Sequence, residues 1–299
     1  MKKILFIILS LFISISSINA MEIKDIKMYA EAEIAGGIRI RELIKVKNMD
    51  EDLIVNVYLK NKNAKVFDGT KESFNRSEIY NGTSVGMYGS YKVNSDKINY
   101  EAFGMDEFVT DDFEKIDVEL NDNKNEYTIK VDKSDEEESI YYLDYVVTNI
   151  LVQHNDCAEL YYRFLDNFYY DVDNIEIIVG LPYKSELFKV WAHGNKNMKT
   201  SIDEKESIVH NKITNYKKGS YIENRILFDK SIFGFNINKD KISGMDAIDA
   251  ISEIENNRNK NTSTFNILEL SLGIGIGVLV ILFFSYLYYS KIYLKRRTK

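Results

Sequence analysis

The chain has 299 residues, 46 of them acidic and 39 basic, for a formal net charge of −7. Its single cysteine, Cys157, excludes an intramolecular disulfide framework. The acid excess argues against a nucleic-acid partner, whose phosphates it would repel, and the length is ample for a core that folds without cross-links.

The N-terminus reads as a secretory signal. Lys2 and Lys3 precede an apolar stretch from Ile4 to Ile15, broken only by Ser10 and Ser14, and small or polar residues follow up to Ala20. Twelve helical residues rise about 18 Å, too little for a hydrocarbon core of about 30 Å.

The strands of the middle region announce themselves by period two. Between Ile38 and Lys47 the even positions carry Ile38, Ile40, Glu42, Ile44 and Val46, and the odd ones mostly cations. Leu53, Val55, Val57 and Leu59 alternate likewise, so the two runs are expected to form a hairpin across the polar loop 48–52. The stretch from Asn75 to Glu107, rich in Gly, Ser, Asn and Tyr, reads as a long, partly ordered insertion. Tyr127, Ile129 and Val131 predict another strand, and the acids at 135–138 a solvated hairpin tip. The run from Ile140 to Leu151 is apolar on both faces, as a central strand requires. Further strands are expected at 160–164, 175–181, 187–191 and 221–228. Met245, Ile248, Ile251 and Ile254 then repeat at helical spacing, with Ser243 as the expected N-cap. Asn75, Asn81 and Asn261 stand in glycosylation-acceptor patterns that an Asn-rich chain produces by chance.

The C-terminal region carries the strongest membrane signal. Leu270 to Tyr289 holds 20 residues without a charge, 12 of them Leu, Ile, Val or Phe, enough to cross a bilayer. Tyr286, Tyr288 and Tyr289 suit an interfacial belt, and five cations follow without an acid. Two of the 39 basic residues lie in the signal and five beyond the span, while all 46 acids lie between, which leaves the middle region at −14. The expected layout is a signal peptide at 1–20, an extracellular β-sandwich region at 21–240, a short helix and polar connector at 241–269, the span at 270–289 and a basic cytoplasmic tail at 290–299. The fold class is mainly β: an antiparallel β-sandwich ectodomain, one large or two packed, plus a single transmembrane helix. Localisation follows as the cell membrane, with one pass and the ectodomain outside.

One block is more specific. Tyr142-Leu143-Asp144-Tyr145 is followed by Asn155-Asp156-Cys157-Ala158-Glu159-Leu160-Tyr161-Tyr162 and then by Ile175-Glu176 closing at Gly180-Leu181-Pro182. This order resembles a bacterial membrane protein family, domain of unknown function 2207. The run Gly37 to Glu42 resembles that family's first strand, and Trp191 to Gly194 and Glu223 to Phe228 resemble later ones, so the likeness covers most of 25–235. It implies a signal peptide, a β-sandwich and a downstream span, and brings no activity.

Candidate chemistry is sparse. Glu42 sits on an apolar strand face, where a carboxylate must be paired or neutralised; its ordinary role is a structural pair with an Arg or a Tyr hydroxyl. Asn155, Asp156 and Glu159, beside Tyr161, could bind a cation or a sugar, although nothing there resembles a calcium loop. His154 and Cys157 are two ligands where a structural zinc needs four. No catalytic motif or nucleotide fingerprint is present, so no catalytic residue, metal or cofactor is expected. Gly273 and Gly277 form a small-xxx-small pair that would permit a weak homodimer within the span. The leading reading is a membrane-anchored, non-enzymatic interaction or structural module with a protein partner in the envelope. The alternative is an envelope carbohydrate-binding or hydrolytic module using the acidic and aromatic cluster at 154–162.

Overall fold

The computed structural model describes residues 21–58, 83–94, 98–105, 108–123, 126–232 and 242–258. The expected signal at 1–20, the expected span with Gly273 and Gly277, the expected basic tail, Leu59 and the asparagines in acceptor patterns lie outside those residues. Among the described residues no helix is long and apolar enough to cross a membrane. The chain divides into two units, Met1–Ile248 and Asp249–Lys299, and a helix, α1, is described over 248–258.

The described residues hold fifteen strands in chain order: β1 (Glu22–Ala32), β2 (Ile38–Lys47), β3 (Leu53–Tyr58), β4 (Val85–Val93), β5 (Glu114–Lys115), β6 (Glu119–Asn123), β7 (Glu126–Val131), β8 (Glu138–Val147), β9 (Val152–Gln153), β10 (Ala158–Asp166), β11 (Val172–Gly180), β12 (Phe188–Gly194), β13 (Lys199–Asp203), β14 (Ile208–Tyr216) and β15 (Tyr221–Phe228). They form an eight-stranded sheet in the order β13-β14-β11-β1-β2-β8-β4-β5, a four-stranded sheet β12-β15-β10-β9 and a three-stranded sheet β3-β7-β6.

Period two decides which residues face inward. In the large sheet Ile26, Met28 and Ala30 of β1 lie opposite Ile44, Glu42 and Ile40 of β2, and β2 continues the row into Tyr141, Leu143 and Tyr145 of β8. These side chains meet Leu160, Tyr162 and Ile226 of the four-stranded sheet and Val55 and Ile129 of the three-stranded sheet in one shared core. The far face of β8 is buried as well. Tyr142 and Ile140 pack there with Leu43, Val93, Phe108 and Phe113, and the Phe108 ring lies 4.9 Å from Tyr142 and 5.4 Å from Phe113, centroid to centroid.

Four expectations change. The large sheet is mixed, not antiparallel throughout, because β1 pairs in parallel with β11. The β2–β3 hairpin does not form: both edges of β2 are taken, by β1 and β8, and β3 pairs with β7 instead. Asn48, in the left-handed region at φ 49°, turns the chain from one sheet into the other. For the same reason the acids at 135–138 are no hairpin tip: Asp135, Glu136 and Glu137 are exposed, Glu138 opens β8, and the run links two sheets, with β7 in one and β8 in the other. The supposed insertion at 75–107 contributes β4, a full member of the large sheet paired with β8.

Gly194 closes β12 at φ +130°, and a Cβ placed there would overlap the carbonyl oxygen of Tyr221. Gly219, at φ +78°, has open space around the same position. Both replacements by Ala incur backbone strain of about 1–3 kcal/mol, and only Gly194→Ala adds a collision. Gly194→Ala is therefore expected to lower the urea midpoint clearly more than Gly219→Ala, at an unchanged m-value.

Candidate functional site

β10 places different chemistry on its two faces. Leu160, Tyr162 and Phe164 point into the shared core. Glu159, Tyr161 and Arg163 occupy the opposite face, where Tyr161 lies across from Arg225 of β15 and Arg163 across from Glu223. Side chains directly opposite one another in an antiparallel pair are near enough to bond, and here they form a buried row of charges. Arg163 Nε donates to Glu223 Oε2 at 2.7 Å, and the Tyr161 hydroxyl donates to Glu223 Oε1 at 3.0 Å. Arg163 also reaches Asp166 at 3.2 Å. The Arg225 guanidinium stacks over the Tyr161 ring at 4.6 Å and donates through Nε to Glu159 Oε1 at 2.6 Å. His154 Nε2 contacts the other oxygen of Glu159 at 2.9 Å, and its Nδ1 lies 2.7 Å from Ser243 Oγ. Glu159, Glu223 and Arg225 are all at most 1% exposed. Charges so deeply placed persist only as mutual partners.

The turn before β10 fastens a distant segment. The backbone N–H of Asn155 donates to Met245 O at 2.9 Å, and its side-chain amide donates to Gly244 O at 2.9 Å. Asp156 accepts the N–H groups of Ala247 at 2.8 Å and Ile248 at 3.1 Å, where α1 begins. Burial raises its pKa, but these backbone bonds outweigh that and hold it below the usual carboxylate range. The amides of residues 247 and 248 are therefore satisfied by Asp156. Ser243, the expected cap, lies five residues ahead of the helix and instead accepts the Met245 N–H at 3.2 Å. Cys157 is buried, and desolvation pushes its thiol well up from its ordinary value, which keeps it protonated and unreactive.

Glu42 stands apart, on the other side of β10. It lies on the inner face of the large sheet between Met28 and Leu143, fully buried, with Oε2 accepting the Tyr145 hydroxyl at 3.2 Å. Among the described residues Oε1 has no hydrogen-bond partner. Desolvation drives its pKa up to about 8, and the Tyr145 bond offsets only part of that rise. The expected structural partner of Glu42 is thus a tyrosine.

The five binding candidates do not share one cleft. Asn155, Asp156 and Glu159 join one network through His154 and residues 243–248, Tyr161 enters it through Arg225, and Glu42 belongs to the opposite layer. Among the described residues no group of three or more His, Cys, Asp or Glu side chains is arranged to hold a metal ion. Sequence reasoning missed Arg163, Glu223, Arg225 and Ser243. The signal for two of them was available, since Glu223 and Arg225 interrupt the apolar run from Tyr221 to Phe228 at period two.

The family profile described as "Predicted membrane protein (DUF2207) N-terminal domain" matches residues 50–228. The chain belongs to that family. The DUF2207 match begins after β2, so the Gly37–Glu42 likeness lies outside it, although β1 and β2 sit at the centre of the large sheet. No curated protein matches the chain. Two solved structures resemble it distantly. Yeast LTA4 hydrolase in complex with bestatin is 7% identical at a TM-score of 0.38, over 71% of this chain and 29% of that one. An M1 zinc metallopeptidase from Deinococcus radiodurans is 7% identical at 0.32, over 68% of this chain and 42% of that one. The chain thus spans less than half of either enzyme, and a likeness at this level carries nothing about its chemistry.

Two consequences of the buried charges are measurable. Native Glu42 holds its proton up to about pH 8, whereas an unfolded Glu releases it near the ordinary 4.5. The stabilisation is complete below that lower value and is lost as pH rises towards 8, by up to about 1.4 kcal/mol per pH unit. Glu42→Gln should remove this slope from the pH dependence of denaturant midpoints and leave the variant more stable than wild type at pH 8. Glu223→Ala, which takes the carboxylate away from Arg163 and Tyr161, should cost about 3–5 kcal/mol in the same measurement.

Proposed function

We propose that this DUF2207 protein is a membrane-anchored module that presents its β-rich domain outside the cell as an interaction or structural surface in the envelope. The observation that carries the reading is the uncharged run Leu270 to Tyr289 with five cations beyond it. Such a run crosses a bilayer, and the cations favour the cytoplasmic side. Family membership supports the membrane location. The middle region suits an extracellular setting: its −14 charge keeps it solvated, and its core needs no disulfide. In this reading the partner is another envelope protein, and the alternative of a sugar-binding module is disfavoured by the separation of Glu42 from the cluster at 154–162.

Protease added to cells stripped of their wall should degrade the β-rich domain and leave an epitope placed after Lys299 intact. Detergent phase separation should carry the full chain into the detergent-rich phase. A domain that survives protease in intact cells and is digested only after lysis would reverse the orientation.

A further inference from the structure

Ser243, His154 and Glu159 form a relay that the sequence separates by nearly 90 positions. A carboxylate oxygen only accepts hydrogen bonds, so the 2.9 Å contact between Glu159 Oε2 and His154 Nε2 requires the hydrogen on Nε2. In the neutral ring this leaves the lone pair on Nδ1. The 2.7 Å contact between Nδ1 and Ser243 Oγ is then a hydroxyl donating to that lone pair. Glu159 is itself fixed by Arg225 at 2.6 Å, which locks the carboxylate that selects the tautomer. A hydroxyl bonded to a base, with the base oriented by a carboxylate, is the arrangement that activates a serine nucleophile, whatever the order of the residues in the chain.

The surroundings hold the serine in place and leave the residue partly exposed. The Ser243 N–H donates to Gln153 O at 2.9 Å, and residues 153 and 242 form a parallel bridge. Asn155 grips the carbonyls of Gly244 and Met245, and Asp156 fixes the amides of Ala247 and Ile248. His154 is buried at 2% exposure, whereas Ser243 is only half-buried. Ile242 beside it is exposed, and Gly244, at φ +67°, has open space where a side chain would stand. A buried, pre-oriented base beside a partly exposed serine meets the requirement that supporting groups be locked before the reaction begins.

We propose that Ser243 is an acyl-accepting nucleophile towards carboxylic esters, with His154 as its general base and Glu159 as the residue that positions the base. Ser243 Oγ forms a bond to the ester carbonyl carbon as its proton passes to His154 Nδ1. The tetrahedral adduct then breaks its bond to the alkoxy oxygen, which leaves as the alcohol with the proton from Nδ1. Water adds to the acyl-serine by the same route, gives a proton to Nδ1, and releases the carboxylic acid as Oγ recovers its hydrogen. The reaction is a hydrolysis, and water is the only co-reactant. It goes beyond the membrane-anchored reading and does not rest on it.

The test uses the full chain in detergent micelles, treated with a fluorophosphonate probe and digested for mass spectrometry. The expected result is one phosphonyl adduct on Ser243, absent in Ser243→Ala, and hydrolysis of p-nitrophenyl acetate that the adduct abolishes. Glu159→Gln keeps the shape of the side chain and should slow labelling about 10²-fold or more. Folded wild-type protein whose Ser243 takes up no probe under conditions that saturate a serine hydrolase control would overturn the proposal. So would a labelling rate unchanged in folded Glu159→Gln, because a relay that serves only to fasten the segment gives that outcome.

Discussion

β10 must be buried on both faces, and the fold is organised around how that demand is met. One face, Leu160, Tyr162 and Phe164, joins the core shared with the large sheet. The other carries Glu159, Tyr161 and Arg163, which an apolar environment would exclude unless each found a partner. β15 supplies Glu223 and Arg225 in the antiparallel register that sets Arg163 against Glu223 and Arg225 against Tyr161. A slip of one residue would turn Glu223 and Arg225 into the apolar core and Ile222 and Asn224 into the charged row. The ionic row thus fixes the register of β10 on β15, whatever its net contribution to stability, which for buried pairs is often small.

Glu42 poses the opposite problem. It faces the apolar side of β10, where its partner is a phenol. A neutral carboxylic acid solves what an ion pair solves on the other face: desolvation pushes its pKa to about 8, so the native state near neutrality holds the proton. Two buried acids in different sheets therefore persist by different means. Glu159 accepts from Arg225 and contacts His154, whereas Glu42 is neutralised. Tyr162, wedged towards Glu42, has its own hydroxyl pKa raised, first by burial and then by that acid.

How much of this was legible depends on what each residue had to announce. β2, β7, β10, β11 and β15 read clearly because β-branched and aromatic residues alternate there with polar ones. β1 did not, because its inner face after Ile26 is Met28, Ala30 and Ala32, residues with little β preference. β4 was hidden by Gly86 and Gly89, which resemble a loop; a register shift between Met87 and Gly89 raises Tyr88 onto Arg39 at 4.9 Å. Strand pairing was less legible than strand position. The parallel β1–β11 contact joins residues about 150 apart, and no local pattern encodes a partner at that distance. The cluster at 154–159 was visible as chemistry, but Ser243 and Arg225 reach it only through tertiary contacts.

The boundaries of the folding unit follow from the same register. The family profile matches from 50 to 228, yet β1 and β2 lie in the middle of the large sheet, between β11 and β8. Without them β11 and β8 would each lose a full ladder and present unpaired edges of nine and ten residues. The inner faces of those strands would also lose Ile26, Met28, Ile40 and Ile44 from the shared core. At the other end, Asn155 and Asp156 would lose the carbonyls and amides of residues 244–248 that they bind. A segment cut at the profile's limits therefore removes the centre of one sheet and the clamp beside β10, so the physical domain begins by Glu22 and extends to Ile248.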